Sequence, residues 1–334
     1  MRLLLLAVAL VAVSGAAGSS GVKTIGTRAK VVSISADGGS VAIHAGSGVA
    51  RVGCNFGSVW TPATGKVVRF TDYPCGSKSQ FDLQYDALTL AGSRVVWTDF
   101  DFGNHAYCHG PFTATFAKAS PQDLGGCPDE PGDEDMFWEY RGDGGLLVGR
   151  SYFQCDYSCP PDYVGTYQDE IVIWSIGAKA KKLVTAKRNT ALLDVDAGRI
   201  LLRDPAKKLL VLNGAGKQVA ALAVDAKAAW LDGSGRVSVP AGTTLRTYDA
   251  ATGAVVETCM LKTGANVQDV ENGLAVYLTP GEVHLLTIAT NADRVVARQK
   301  GLVQADLEPG GVFYAYNVPG GGSKPGRVTF VPLK

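Results

Sequence analysis

The sequence predicts an all-β chain folded as a seven-bladed β-propeller with four-stranded antiparallel blades. Three observations lead there. The stretch 226–261 holds four short apolar runs separated by tight turns, the sequence form of one blade. A glycine-bearing turn of one kind recurs seven times along the chain. Two leftover strand-like runs, one near each end, complete a final blade if they pair with each other.

Taken in order, the chain opens on a different object. Met1-Arg2 is a short basic start, Leu3–Val13 is an unbroken apolar run, and small residues follow at Ser14–Gly18. This pattern is that of a secretory signal peptide over residues 1–20, and the run is too short for a stable membrane span. No cysteine follows closely enough to carry a lipid anchor, and no later run reaches transmembrane length. Residues 21–334 are therefore expected to form a single domain, exported to the extracellular or periplasmic space, without membrane insertion and as a monomer.

The chain has 32 basic and 31 acidic residues, and loss of Arg2 with the leader would balance them. Such a balance gives no support for nucleic-acid or anionic-membrane binding. An apolar content of 46% is ample for a large core and too high for disorder.

The unit at 226–261 shows how each blade is read. Ala228–Leu231 is the first run, ended by Asp232-Gly233-Ser234-Gly235; Arg236–Pro240, Leu245–Tyr248 and Ala254–Val256 are the next three. The first turn recurs at Asp37-Gly38-Gly39, Gly92-Ser93, Asp143-Gly144-Gly145, Ala197-Gly198, Glu271-Asn272-Gly273 and Pro309-Gly310-Gly311, each followed by an apolar run. Glycine recurs because a tight β-turn needs a residue at ease with positive φ. Units then begin near residues 31, 84, 136, 190, 226, 265 and 301, at spacings of about 50 and later about 35–40 residues. The last unit shows three runs, ending at Arg327–Phe330, and Val22–Ile25 precedes the first unit and belongs to none. Read as the outer strand of the seventh blade, Val22–Ile25 closes the ring and removes its open edge. No fourth strand is visible in the second unit after Phe112–Lys118, so six or eight blades stay open. Two β-sandwiches with a break near residue 187 are the competing all-β reading, although a sandwich does not require a turn repeated at this period.

The segment Leu245–Val256, with Tyr248-Asp249 and then Thr252-Gly253, resembles strands three and four of exported bacterial propeller repeats of the quinoprotein-like, YVTN-like and WD40-like kinds. Thr61–Val68 matches the same pattern. The resemblance implies the fold alone. The tryptophan-rich repeat and paired-cysteine cofactor site of quinoprotein dehydrogenases are not seen, so no cofactor is expected.

Chemistry is sought in the long connections of the first three units. Cys54 and Cys75 fall in two connections of the first unit, Cys108 and Cys127 in two of the second, and Cys155 and Cys159 in Gln154–Glu170 of the third. In a blade these connections share one face. An exported chain favours disulfides, and shared placement favours Cys54–Cys75, Cys108–Cys127 and Cys155–Cys159, although sequence alone allows other pairings. Closing a loop of about 20 residues stabilises by roughly 3 kcal/mol on the chain-entropy view. Cys259 is left over, in an outer strand, as a buried free thiol.

Long ordered loops on a rigid scaffold are the usual place for binding. Asp99, Asp101, His105 and His109 cluster in the second unit, and Tyr152, Asp156, Tyr157 and Tyr163 in the third. Aromatic rings mixed with carboxylates suit sugar or peptide surfaces. The spacing of His105 and His109 on a loop does not fix a shared face, so no metal site is assigned. The acidic run Asp129–Asp135 lacks the alternating ligand spacing of a calcium loop. Arg141-Gly142-Asp143 and Ser35–Gly39 resemble an adhesion tripeptide and part of a sialidase Asp-box, but both belong to turns between first and second strands. The expectation is a non-enzymatic module binding a protein, peptide or glycan through the loops of blades 1–3. A glycan hydrolase or lyase using Asp99, Asp101, His105 or Asp156 is the alternative, and a purely structural envelope protein is the third reading.

Overall fold

The computed structural model describes residues 21–46, 55–73, 84–100, 111–124, 134–155, 168–320 and 324–333. They form seven four-stranded antiparallel sheets arranged as a propeller, each sheet one blade. Strands within a blade are lettered A to D from the channel outward. The A strands are Lys30–Asp37, Gln84–Ala91, Glu134–Asp143, Ala191–Asp196, Trp230–Leu231, Asn266–Glu271 and Leu302–Glu308 for blades 1 to 7. Each A strand packs against those of the two neighbouring blades, blade 7 against blade 1 included.

Blade 7 takes its strands from both ends of the chain. Lys23–Gly26 pairs antiparallel with Gly326–Pro332, which pairs with Gly311–Asn317. Thr24 and Thr329 face each other in this register and their hydroxyls hydrogen-bond at 2.9 Å. Lys23 adds a hydrogen bond of 2.6 Å from Nζ to the Pro62 carbonyl of blade 1.

Burial follows position in the blade. B strands are sheathed on both faces, as in Ser40–Gly46, where every residue is buried, and they read as near-continuous apolar runs. D strands such as Val255–Met260 leave one face to solvent and alternate accordingly. The core lies between blades. Ala42, Val59 and Phe70 of blade 1 pack on Leu88, Leu90, Val95, Trp97 and Ala114 of blade 2, with Trp97 only 1% exposed. Val31, Ile34, Val41, Ile43 and Trp60 of blade 1 meet Phe313, Ala315 and Val328 of blade 7 in the same manner, Trp60 edge-on to Phe313. Burial of such side chains contributes about 1.5–3 kcal/mol each.

Blade 2 does have a fourth strand, Lys118–Asp123, every residue of which is exposed. Its lack of any buried apolar residue explains why periodicity does not reveal it. In blade 5 the A strand is reduced to Trp230-Leu231, shorter than the run 228–231 suggests.

Five A strands carry a register shift, between Val31 and Ser33, Asp86 and Thr89, Leu192 and Asp194, Val267 and Asp269, and Leu302 and Gln304. A bulge re-aims the side chains that follow it. The residue after each shift is polar and lines the central channel.

An acidic central channel

The channel encloses a cavity of about 410 Å³ walled by the A strands. Seven carboxyl groups line it (Asp143, Asp194, Asp196, Asp269, Glu271, Asp306 and Glu308), against two basic side chains, Arg141 and Lys227. The carboxyls stand in two tiers. One tier is the last residue of the A strand, just before the A–B turn: Asp143, Asp196, Glu271 and Glu308, with Asp37 at the same strand position in blade 1 but outside the cavity wall. The other lies two residues earlier: Asp194, Asp269 and Asp306.

Why acids occupy these positions follows from the backbone. The inner edge of each A strand has no partner strand, so its N–H groups need acceptors. Polar side chains of the preceding blade supply them. Across the seam from blade 7 to blade 1, Asp306 Oδ2 accepts from Ala36 N at 2.7 Å and Glu308 Oε2 from Gly39 N at 3.1 Å. Gln304 accepts from Ile34 N and donates to Ile34 O, both at 2.9 Å. Asn317 brackets Val31 in the same two-way manner. Asp269 accepts from Leu307 N at 3.0 Å, Asp194 from Leu231 N at 2.6 Å and Asp143 from Ala197 N at 2.9 Å. Asp37 accepts a short hydrogen bond from Gly92 N, and Ser35 one from Leu90 N at 3.1 Å. Arg141 works with the opposite polarity, its Nε donating to Leu193 O at 3.0 Å. The tripeptide Arg141-Gly142-Asp143 is thus absorbed by the seam between blades 3 and 4.

Two of these acids are used differently. The turn of blade 5 is longer, and its Asp232 folds back to accept from Ser234 N and Arg236 N of its own turn. Asp196, which would clasp that turn, is left with Oδ2 buried and unpartnered.

Crowding raises the affinity of the cluster for protons. Burial first, and then the Asp269 charge, push Asp194 up to about 8. Burial, with Asp269 and Glu308 behind it, carries Glu271 to about 8. Glu308 reaches about 8 through burial, against the opposing hydrogen bond from Gly39. Asp196 rises to about 7, from burial and then from Asp143, to which it is hydrogen-bonded. Asp306 is held well above the usual carboxylate range by burial and the neighbouring Asp269. Among the described residues no three His, Cys, Asp or Glu side chains are placed to hold a metal ion.

The loop residues expected from sequence fall largely elsewhere. Asp101, His105, His109, Asp156, Tyr157 and Tyr163 lie outside the described residues, as do Cys54, Cys75, Cys108, Cys127 and Cys159. Asp99 sits in the B strand of blade 2 opposite Tyr85, and Cys155 ends the B strand of blade 3 opposite Glu134; their side chains are not among those described. Tyr152 is described: the Arg150 guanidinium lies 4.3 Å above its ring, and it packs on the core between blades 3 and 4. Cys259 is a buried free thiol, its Sγ 3.0 Å from the Ile288 carbonyl.

The acidic tiers were carried in the sequence by a signal that the turn analysis passes over. Asp194-Val195-Asp196, Asp269-Val270-Glu271 and Asp306-Leu307-Glu308 repeat an acid–apolar–acid triplet just before the A–B turn in blades 4, 6 and 7. Alternation puts both acids on the channel face and the apolar residue in the core.

No protein family and no curated protein matches the sequence. Solved structures do match the fold. The acylaminoacyl peptidase of Pyrococcus horikoshii superposes with a TM-score of 0.58 at 12% identity, over 90% of this chain and 51% of that one. Hsv2 of Kluyvelomyces marxianus superposes with a TM-score of 0.52 at 10% identity, over 86% and 89% of the two chains. This chain thus spans about half the length of the peptidase it matches. Identities this low establish the propeller and nothing about activity.

Proposed function

We propose that this chain is an exported binding module whose ligand, a peptide segment presenting a lysine or arginine side chain, seats in the central channel. The observation that carries this reading is the cavity of about 410 Å³ with seven carboxyls and two basic groups in its wall. A concave site of this size with convergent ionisable groups is the default place for a ligand. Asp269 and Asp306 accept backbone N–H groups on both oxygens, whereas among the described residues the only backbone N–H bonded to Glu308 is that of Gly39 on Oε2. The surplus of carboxyl over basic groups in the wall favours an ammonium or guanidinium group that displaces their protons. Trp230, held by a hydrogen bond from its Nε1 to Gln268 O, adds an aromatic wall beside the acids.

A cation entering this site displaces protons from Asp194, Glu271 and Glu308. Affinity therefore rises with pH through about 8 and falls with added salt. The test is calorimetric titration of the protein with arginine amide and with a Lys-Arg dipeptide, using glycine amide as the control. Saturable binding that weakens in Glu271→Gln and tightens from acidic to mildly alkaline pH supports the reading. Equal heats for the three probes, or for wild type and variant, overturn it.

The long connections of blades 1–3 leave strand ends on the other face from the A–B turns. The disulfide pairing in those connections, Cys54–Cys75, Cys108–Cys127 and Cys155–Cys159, is a separate proposal.

A further inference from the structure

The two basic side chains in the channel wall are in different situations. Arg141 is committed: its Nε donates to Leu193 O at 3.0 Å and its terminal nitrogen to Tyr140 O at 2.7 Å. Lys227 is exposed and makes no hydrogen bond or ion pair among the described residues. The carboxylate nearest to it in sequence, Asp225, is taken by Arg203 at 2.7 Å and Lys207 at 3.6 Å. An ammonium group thus stands in the same wall as seven carboxyls without pairing with any of them.

Its place in the fold explains this. Lys227 lies in the link that carries the chain from the outer strand of blade 4 to the A strand of blade 5. Ala226 and Ala229, buried in the core between those blades, fix the link on either side of it. The A strands run parallel to one another around the channel: Gln304, Asp306 and Glu308 accept in turn from Ile34, Ala36 and Gly39. Asp194 is level with Leu231, whose N–H it accepts, and Asp196 lies beyond it toward the A–B turn. Lys227 comes four residues before Leu231, toward the opposite mouth. The channel is therefore polarised along its axis, with the Lys227 ammonium at one mouth and the acids deeper, toward the A–B turns. Trp230 and Gln268 stand between. Trp230 Nε1 donates to the Gln268 carbonyl at 3.2 Å, and the Gln268 side-chain amide makes a long bond of 3.4 Å to Asn266 O.

We propose that Lys227 binds a terminal carboxylate, so that the channel reads the C-terminal lysine or arginine of a peptide. This inference rests on the reading of the channel as the ligand site. The basic side chain passes Trp230 toward the acids, and the carboxylate stays at the mouth on the Lys227 ammonium, with the Gln268 amide as a second donor. A hydrogen bond between charged partners is roughly twice as strong as one between neutral groups. A free amino acid suits the mouth less well, because its α-ammonium would sit beside Lys227. A peptide end places an uncharged amide there.

The experiment is calorimetric titration of the full chain with Nα-acetyl-arginine and with its amide, which lacks only the carboxylate. General attraction by an acidic channel favours the amide, which carries one more positive charge. The proposal requires the reverse, with the acid binding about tenfold more tightly in wild type. Lys227→Gln should abolish that preference by weakening the acid and not the amide, and Lys227→Arg should retain it. Both variants alter an exposed, unpaired side chain and are expected to fold as wild type does. Arginine itself should bind more weakly than Nα-acetyl-arginine. An amide that binds as tightly as the acid in wild type overturns the proposal and leaves the channel reading standing, as does a preference for the acid that survives in Lys227→Gln. Arginine binding as tightly as Nα-acetyl-arginine overturns the assignment to a peptide end. Absence of binding by both acetylated probes overturns the channel reading and this proposal together.

Discussion

Asp306 Oδ2 accepts the Ala36 amide hydrogen at 2.7 Å, tying the last blade to the first across a sequence separation of 270 residues. No strand ladder runs along this seam, so the carboxyl takes the place of a missing neighbour. Asp306→Ala strands the Ala36 N–H. It is expected to cost about 1–3 kcal/mol in denaturant unfolding. Asp306→Asn, which preserves an acceptor and gains a donor, is expected to recover most of that loss near neutral pH. Equal losses for the two variants would place the energy in charge rather than in the hydrogen bond.

A second expectation concerns two glycines with the same backbone and different surroundings. Gly92 and Gly144 both sit at φ 55°, in the A–B turns of adjacent blades. A Cβ on Gly144 would meet open space, whereas one on Gly92 would collide with the Gly144 carbonyl oxygen. Gly144→Ala should therefore show only the conformational cost of an L-residue in the left-handed region, about 1–2 kcal/mol. Gly92→Ala should lose more and should weaken the clasp from Gly92 N to Asp37 as well. Thermal unfolding of the two variants side by side tests the difference.

These positions show what was legible in the sequence and why. The A–B turns were readable because tight turns demand glycine or asparagine at positive φ, and that demand repeats at the blade period: Gly38, Gly92, Gly144, Gly198, Gly235 and Gly273 meet it in six blades. Lys118–Asp123 was not, because an all-exposed outer strand puts no constraint on residue type. The acids before the turns were plain as letters but looked like ordinary turn residues. Their meaning depends on which blade follows which, and on bulges such as Leu192/Asp194 that turn them into the channel. Asp232 makes the point in reverse: it stands at the same turn position, yet a longer turn folds it onto its own backbone.

Blade 6 carries a polar network distant from the channel. His284, 2% exposed, stacks on Tyr277 with ring centroids 4.6 Å apart, and its Nδ1 lies 3.1 Å from Asp293. Tyr277 donates its hydroxyl hydrogen to the same carboxylate at 2.8 Å. Burial, followed by this hydrogen bond and the Asp293 charge, pushes the Tyr277 phenol above its ordinary range. A spectrophotometric titration should therefore show no tyrosinate from Tyr277 up to about pH 11 in the folded protein. Wild type and Tyr277→Phe should titrate alike over that range. The variant is expected to lose about 1 kcal/mol of stability with the hydrogen bond. An additional phenolate in wild type below that pH would contradict the burial and hydrogen bonding of Tyr277.

Cys259 gives the last test, which separates the fold from the loops. Burial, and next the Glu257 charge, push its thiol above the ordinary cysteine range, and its hydrogen is engaged with Ile288 O. The thiolate is the reactive form, so the folded chain should protect Cys259 from iodoacetamide until blade 5 opens. A peptide map after alkylation in native buffer and again in urea reads this directly. Cys259 is expected unmodified in the first map and modified in the second. The same non-reduced maps report on Cys54–Cys75, Cys108–Cys127 and Cys155–Cys159. Native alkylation of Cys259 would contradict its burial in the outer strand of blade 5. A disulfide joining Cys259 to any of the six would require that strand to leave its place beside Thr244–Asp249, and would overturn the register of the blade.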